Sequence, residues 1–377
     1  MDFGTLALIC GVALLGPVLA LPRGISLPVV VGELLVGVVL GSTGIGTLDA
    51  SEPTFAFLAQ VGFALVMFVA GSHVPVRDPA LRQGIGPGLA RAAGIGILAV
   101  PVGLLLAHLV GTDHGGLYAV LLASSSAALI LPIISSTGAG GRAVLELLPQ
   151  VAVADAACIV ALPLAIDPAH AARALVGGLA VLVGAAGVFL SLRWVERSGV
   201  RHRVHHVSQH RKLALELRVS LTLLFALAAL AVALHVSVLV AGFAFGLAVA
   251  AVGEPRRLAK QLFALTEGFL GPLFFVWLGA SLNLRDLIAH PAAIGLGLGL
   301  GVGAVAVHAL MALTRQPLPV AVLTSAQLGV PVAAATLGGQ LGLLGPGEAA
   351  ALLLGALVTI AATTAAASAL RRPAGLP

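Results

Sequence analysis

The sequence predicts an all-α polytopic membrane protein, and three observations support that fold class. Hydrophobic residues make up 59% of the 377 residues, and the mean hydropathy is +1.10. Charged residues make up only 9%, whereas soluble globular domains contain about 25%. The charged residues are concentrated in short connections between long apolar runs. The sequence pI of about 10.2 therefore reflects basic loops at a membrane surface, and no nucleic-acid partner is expected.

About 13 transmembrane helices are predicted, because a bilayer is crossed by roughly 17 to 25 apolar residues in helical form. The predicted spans cover residues 3–21, 25–40, 55–74, 92–110, 115–137, 147–166, 174–192, 219–234, 236–252, 262–282, 291–313, 317–344 and 349–370. Only His235 separates the eighth span from the ninth. Membrane lipid is therefore the expected surroundings of most of the chain.

The distribution of basic residues supports this count and predicts the orientation. Lys and Arg concentrate in the connections after odd-numbered spans and in the C-terminal tail, which is the pattern of cytoplasmic loops. These regions contain Arg23, Arg77, Arg82, Arg91, Arg142, the segment 193–218, Arg256, Arg257, Lys260, Arg315, Arg371 and Arg372. Arg173 and Arg285 lie on the other side, with Asp49, Glu52 and Asp113. The sequence predicts an integral plasma (inner) membrane protein with its N-terminus outside and its C-terminus in the cytoplasm.

The basic segment 193–218 divides a single transmembrane domain, residues 1–377, into halves at 3–192 and 219–370. Its histidines at 202, 205 and 206 are interpreted as part of a solvated cytoplasmic loop, since a metal site needs several converging ligands. No Gly-rich nucleotide fingerprint occurs, so no C-terminal nucleotide-binding domain and no cofactor are expected. Any cytosolic regulatory subunit would be a separate chain.

One carboxylate, Asp155, lies near the centre of the span 147–166. A charge at that depth costs several kcal/mol, so ionisable residues in membrane spans mostly serve ion pathways or proton relays. Asp155 is therefore the first candidate for a transport residue.

Two spans carry polar residues followed by helix breakers. Ser124-Ser125-Ser126-Ala127 precedes Pro132 in the fifth span, and Thr324-Ser325-Ala326-Gln327 precedes Gly329-Val330-Pro331 in the twelfth. The twelfth span comes seven spans after the fifth, an odd offset, so the two cross the bilayer in opposite directions. Paired broken helices in two halves indicate a transporter site between inverted repeats.

Four motifs resemble the cation:proton antiporter-2 family, which contains sodium/proton and Kef-type potassium/proton antiporters. They are Val31-Gly32-Glu33-Leu34-Leu35-Val36-Gly37 with Gly41, Gln60-Val61-Gly62 through Phe68-Val69-Ala70-Gly71, Ala241-Gly242-Phe243-Ala244-Phe245-Gly246, and Pro272-Leu273-Phe274-Phe275-Val276-Trp277-Leu278-Gly279. The resemblance implies a dimeric, inverted-repeat, elevator-type exchanger of Na+ or K+ for H+. It also implies two discontinuous helices that cross beside an ion-binding aspartate.

The family's ion-binding aspartate corresponds to Asp155, and its usual polar residue before that aspartate is Ala154 here. The family's Thr-Ser-Pro is similar to Ser125-Ser126-Ala127. A basic residue is expected near Gly303 or Ala304 in the eleventh span, where His308 is the nearest ionisable group. The expected ion-binding residues are Asp155, Ser125, Ser126, Thr324 and Gln327, and the auxiliary or gating positions are Glu33, His308 and Ala154. Glu267, at the start of the tenth span, is interpreted as structural.

These residues favour a secondary-active antiporter in which a proton and a monovalent cation compete for Asp155. Exchange of one for the other would be electroneutral, since both loaded forms carry the same charge. Two alternatives remain open: a transport-impaired homologue acting as a sensor or scaffold, and an organic-anion symporter of similar architecture. No intramembrane aspartate pair or His-Glu-x-x-His motif occurs, so an enzyme is not expected. The residue types favour neither Na+ nor K+.

Overall fold

The computed structural model describes residues 1–20, 29–72, 76–77, 79–127, 129–130, 134, 142–198, 214–234, 236–253 and 256–370. The helices in these ranges are α1 (Phe3–Ala13), α2 (Leu15–Ala20), α3 (Val29–Leu40), α4 (Pro53–Ser72), α5 (Pro79–Val110), α6 (Gly115–Ala123), α7 (Arg142–Ile166), α8 (Ala171–Arg197), α9 (Leu215–Ala233), α10 (Val238–Val252), α11 (Arg256–Leu265), α12 (Gly271–Ser281), α13 (Leu284–Ala289), α14 (Pro291–Ala309), α15 (Leu318–Leu323), α16 (Gly329–Leu341) and α17 (Glu348–Leu370). A π-helical segment, Thr266–Leu270, joins α11 to α12.

Eight helical stretches in the described part are long and apolar enough to cross a membrane. They are Pro53–Ser72, Gly84–Val110, Glu146–Ile166, Pro168–Arg197, Leu215–Ala233, Lys260–Ser281, Pro291–Thr314 and Glu348–Leu370. Three shorter apolar helical stretches, Phe3–Leu19, Val29–Leu40 and Val238–Val252, accompany them. The all-helical membrane architecture predicted from the sequence is confirmed.

The predicted position of Arg91 in a connection was wrong. Helix α5 begins at Pro79, and Arg91 lies inside it with 7% of its surface exposed. Its Nη1 lies 2.8 Å from Oε2 of Glu146 on α7, and its Nε donates to Oγ1 of Thr314 at 2.8 Å. Because the guanidinium is paired within the protein, the helix extends well beyond the purely apolar run. Arg82 also lies in α5; Arg23, Pro132, the histidines at 202–206, His235, Arg371 and Arg372 lie outside the described residues.

The helices pack as two bundles. The first bundle contains α1–α4 and α8–α12, and the second contains α5–α7 and α14–α17. Within each bundle the helices contact mostly one another, whereas the bundles meet chiefly where α7 lies against α8 and α10. The broken segments and the helix that carries Asp155 all belong to the second bundle.

Glycine allows α3 and α12 to approach closely within the first bundle. A Cβ on Gly37 of α3 would clash with the backbone of Val276, and one on Gly279 of α12 would clash with the backbone of Leu34. In lipid, such small-residue contacts are a main source of helix association. The glycines of this predicted motif therefore pack inside one protomer.

Candidate functional site

The first helix break lies at the serine-rich segment of the predicted fifth span. Helix α6 ends at Ala123, and Ser124 adopts an extended conformation with φ −72° and ψ 153°. Ser124–Ser126 are not helical, and helical geometry returns at Ala127. All three serines are buried, so their backbone groups must find partners inside the protein.

The second break separates α15, which ends at Leu323, from α16, which begins at Gly329. Thr324, Ser325 and Gln327 lie in this break and are buried. Pro331 lies in the first turn of α16, where a missing N–H leaves no helical hydrogen bond unmade. Both spans that the sequence identified as interrupted are thus interrupted in the structure.

The two breaks contact each other through hydrogen bonds. The hydroxyl of Ser125 donates to the carbonyl oxygen of Thr324. The amide of Gln327 donates to the carbonyl oxygen of Ser124 at 3.3 Å. Segments that lie about two hundred positions apart therefore form one buried polar cluster. Each break supplies a donor for a carbonyl that the other leaves outside a helix.

Asp155 lies on α7 beside this cluster, with 4% of its surface exposed. Its Oδ2 accepts a hydrogen bond from the backbone N–H of Ala127 at 3.2 Å, where helical geometry resumes after the first break. A helix N-terminus favours a negative charge. Among the described residues, no Lys, Arg or His forms an ion pair with Asp155. The preceding residue, Ala154, is buried and offers no polar side chain.

His308 lies on α14, fully buried, and contacts the second break rather than Asp155. Its Nδ1 is 2.8 Å from Oγ1 of Thr324. The Thr324 hydroxyl donates its one proton to the Ala321 carbonyl at 2.7 Å. With that proton directed to Ala321, the Thr324 oxygen can accept a hydrogen bond from Nδ1 of His308. His308 positions the broken helix and does not supply a cation next to the aspartate.

Two glutamines that the sequence analysis missed complete this network. The amide of Gln150, on α7, lies 3.4 Å from Oγ1 of Thr324, and Gln316 donates to Oε1 of Gln150 at 2.9 Å. Both side chains are buried. The available signal was an amide inside the apolar run 147–166, only a few residues before Asp155. Because Gln150 and Asp155 share α7, the network ties the aspartate's helix to the second break.

A cavity of about 670 Å³ lies between the two bundles. Asp155 and Ser126 line it from the second bundle, next to Leu328 and Gly329 of the second break. Helices α3, α4 and α12 and the segment containing Glu267 line the opposite wall. Of the five expected ion-binding residues, Asp155 and Ser126 reach this cavity. Ser125, Thr324 and Gln327 instead bond the two breaks to each other and to neighbouring helices.

Thr359 of α17 also supports the second break, because its hydroxyl oxygen accepts a hydrogen bond from the backbone N–H of Gln327 at 3.3 Å.

A buried carboxylate at a cavity between two bundles, next to paired broken helices, is the arrangement of the class of secondary membrane transporters.

Comparison with known proteins gives the family. The profile of the transmembrane sodium/hydrogen exchanger family matches residues 10–371. The chain belongs to this family of transporters, and the antiporter resemblance seen in the motifs is confirmed.

Three relatives support the assignment. The chain is 25% identical over 300 residues to YjbQ of Bacillus subtilis, covering 75% of this chain and 48% of YjbQ. It is 24% identical over 262 residues to the Na+/H+-K+ antiporter GerN of Bacillus cereus, covering 69% of this chain and 67% of GerN. It is 28% identical over 278 residues to the Na+/H+ antiporter NhaS5 of Synechocystis, covering 69% of this chain and 37% of NhaS5. The chain thus spans about half the length of YjbQ and less of NhaS5.

The fold resembles that of the sodium proton antiporter MjNhaP1 from Methanocaldococcus jannaschii. The TM-score is 0.70 at 16% identity, with 97% of this chain and 95% of that chain covered. The helical architecture is therefore that of a known antiporter over nearly its whole length.

Proposed function

We propose that the protein is a secondary-active antiporter that exchanges a monovalent cation, Na+ or K+, for H+ through Asp155. The observation that carries the proposal is the state of this carboxylate. It is buried, lines the cavity between the bundles, accepts one backbone hydrogen bond and has no cationic partner among the described residues. Such a group needs either a proton or a cation to balance its charge. Competition between the two for the same oxygens is in itself a mechanism of exchange.

The second bundle would carry Asp155 between the two membrane faces, in an elevator motion against the first bundle. Ser126 lines the cavity with Asp155 and is the side chain best placed to add an oxygen ligand. Ser125, Thr324 and Gln327 contribute by fixing the two breaks to each other beside Asp155. His308 positions Thr324, and Glu33, buried on α3 three residues after the cavity-lining Val30, is an auxiliary group. Ala154 removes one ligand that the family usually has.

The proposed architecture has the thirteen membrane crossings expected from the sequence. The eight long spans, the three shorter apolar helices and the two interrupted spans would each cross once. The halves 3–192 and 219–370 would be inverted repeats within one exchanger domain, with the two interrupted helices crossing at the site. The N-terminus would face outward and the C-terminus the cytoplasm of the plasma membrane. The functional unit would be a homodimer, with any cytosolic regulatory subunit on another chain.

Proteoliposomes with an internal pH dye test the function. Pulses of Na+, K+ or Li+ are expected to change the internal pH with wild-type protein and to have no effect with Asp155→Asn, which retains the shape of the side chain. Asp113→Asn, at an exposed position outside the helices, is the matched control and is expected to transport normally. The cation that acts at the lowest concentration identifies the substrate. Well-folded wild type that responds to no cation would reject the proposal and favour the sensor or scaffold alternative.

The same vesicles test electroneutrality. The proton-loaded and cation-loaded forms of Asp155 carry the same charge, so an imposed membrane potential is expected to leave the initial rate unchanged at fixed ion gradients. A rate that follows the imposed potential would mean that more than one charge moves in one of the two half-cycles.

A further inference from the structure

An apolar groove lies where the two bundles meet, on the other side of α7 from the cavity that Asp155 lines. The groove has a volume of about 320 Å³ and runs between α7 of the second bundle and α8 and α10 of the first. Within the described residues, every side chain that lines it is Ala, Val, Leu, Ile or Phe. Ala156, the residue after Asp155, lines the groove, and Ile159 lines both spaces. The helix that carries Asp155 therefore separates a polar cavity from a purely apolar groove.

The groove follows α8 and α10 toward their C-terminal ends. It is lined by residues between Leu182 and Phe189 of α8 and between Val240 and Ala251 of α10. Next to it, a smaller pocket of about 30 Å³ is lined by residues 174–182 of α8 and 236–240 of α10, so the two helices run in the same direction. From Val240 to Ala251 a helix rises about 16 Å, which is half of the roughly 30 Å hydrocarbon core of a bilayer. The groove therefore has the length of one acyl chain in one leaflet.

Basic side chains lie at the C-terminal end of this groove. The guanidinium carbon of Arg193 lies 5.8 Å from the centre of the Phe189 ring, which lines the groove. On the other wall, Nη1 of Arg77 donates to the carbonyl oxygen of Val252 at 3.0 Å, directly after the last groove residue of α10. Arg193 and Arg77 are both exposed. The apolar groove thus ends at positive charges that are accessible from outside the protein.

The position of Trp194 relates these charges to the membrane surface. Trp194 follows Arg193 on α8, and 67% of its surface is exposed. Exposed tryptophans in membrane proteins concentrate at the level of the lipid headgroups. Arg197, one turn further along α8, is also exposed. Basic residues between helices at the cytoplasmic surface, where this end of α8 is predicted to lie, suit anionic lipid headgroups.

We propose that the groove binds an anionic phospholipid, with one acyl chain along α8 and α10 and its phosphate held by Arg193. A planar guanidinium can bind two phosphate oxygens at once, and Arg77 adds positive charge at the same end of the groove. The lipid would contact α7 as well, so it would join the two bundles where they meet. This binding does not depend on the proposed exchange function.

Native mass spectrometry of the detergent-purified protein tests the headgroup contact. Phosphatidylglycerol is expected to bind more tightly than phosphatidylcholine with the same acyl chains. Arg193→Gln is expected to weaken phosphatidylglycerol binding about fivefold, the effect of one arginine near an anionic surface, and to leave phosphatidylcholine binding unchanged. Arg173→Gln, at an exposed position near the opposite end of α8, is the matched control and is expected to bind as wild type does. Equal binding of the two lipids by wild type, or an unchanged affinity in Arg193→Gln, would overturn the proposal.

A bulky side chain in the groove tests the acyl-chain contact. Ala186 lines the groove and is exposed, so Ala186→Trp fills the groove without displacing a buried side chain. It is expected to weaken the binding of both lipids more than tenfold, because the loss of only about two buried CH₂ groups has that effect. Val183→Trp is the control, since Val183 is 71% exposed on the same helix and does not line the groove.

The same variants distinguish the lipid from a second copy of the chain. Monodispersity and thermal unfolding without added lipid verify that both tryptophan variants are folded. Unchanged lipid binding in Ala186→Trp would show that the acyl chain lies elsewhere and would overturn the proposal. So would a lipid-free dimer that Ala186→Trp dissociates, because the groove would then hold the partner protomer. These measurements involve no ion transport, so they decide the lipid site even if the exchange proposal fails.

Discussion

Thr324 is the residue at which the broken helix is tied to its surroundings. Its carbonyl accepts from Ser125, and its hydroxyl contacts both His308 and Gln150. The hydroxyl donates its proton to Ala321, so it serves the other two groups as their acceptor. Buried donors that lose an acceptor destabilise a protein by about 1–3 kcal/mol each. One small side chain therefore has a large effect on the geometry of the second break.

Thr324→Val is expected to destabilise the folded protein by about 1–3 kcal/mol or more, because the Nδ1–H of His308 and the amide of Gln150 lose their acceptor while the volume is kept. Thermal unfolding in detergent, monitored through the loss of the monodisperse peak, measures the effect. Thr364→Val is the matched control, since within the described part of the chain the Thr364 hydroxyl bonds only the Ile360 carbonyl of its own helix. If both variants unfold at the same temperature, the contacts at Thr324 do not stabilise the fold.

Some residues of the site could be predicted from their chemistry alone, and others could not. Asp155 could be identified because a carboxylate in an apolar run is expensive and rare. The sequence could not show which of Ser125 and Ser126 faces the cavity. In a non-helical segment, the direction of each side chain depends on φ and ψ values that the sequence does not give. Ser126 lines the cavity, whereas Ser125 bonds the other break. The role of His308 was equally hidden, since its partner lies on a different element, sixteen residues away.

At the scale of elements, Gly37 sets how closely α3 approaches α12. A side chain at this position would meet the Val276 carbonyl and the Cα of Gly279, which are backbone atoms that cannot rotate away. Gly37→Ala is therefore expected to push the helices apart and to destabilise the protein by about 1–3 kcal/mol. Gly11→Ala on α1 is the control, because nothing lies within 4 Å of the added Cβ and alanine favours helix. Thermal unfolding of the two variants compares them, and equal stability would show that the close approach is not required.

The ends of helices could be predicted from the sequence where the residues change from apolar to polar. They could not be predicted where a charged residue lies inside a helix and is paired with a buried partner. The breaks in the fifth and twelfth spans follow from serine, threonine, glycine and proline, which disfavour a continuous helix. The early start of α5 did not follow from the sequence, because an arginine next to an apolar run is normally interpreted as a residue of a cytoplasmic loop, as Arg91 was. Its pairing with Glu146 depends on how α5 packs on α7, which no local pattern of residues encodes.

At the scale of the whole molecule, the two-bundle arrangement predicts where motion must occur. An elevator exchange requires the second bundle to slide along the first, so a covalent link across the cavity should stop transport. Gly329 of α16 lies against Met67 of α4, with the Cβ position 3.6 Å from the Met67 Cε. In a variant lacking Cys10 and Cys158, the pair Met67→Cys/Gly329→Cys is expected to lose exchange on oxidation and to recover it on reduction.

A second pair makes this test specific to the boundary between the bundles. Gly184 and Leu227 face each other on α8 and α9 inside the first bundle, with 3.1 Å between the Cβ position and Leu227 Cδ2. Oxidation of Gly184→Cys/Leu227→Cys is expected to leave the initial rate of cation-driven proton flux unchanged, because these helices move together. Full exchange in the oxidised, cross-linked Met67/Gly329 variant would contradict relative motion of the bundles. Asp155 would then have to reach both membrane faces by local rearrangement of the two breaks, with the bundles fixed.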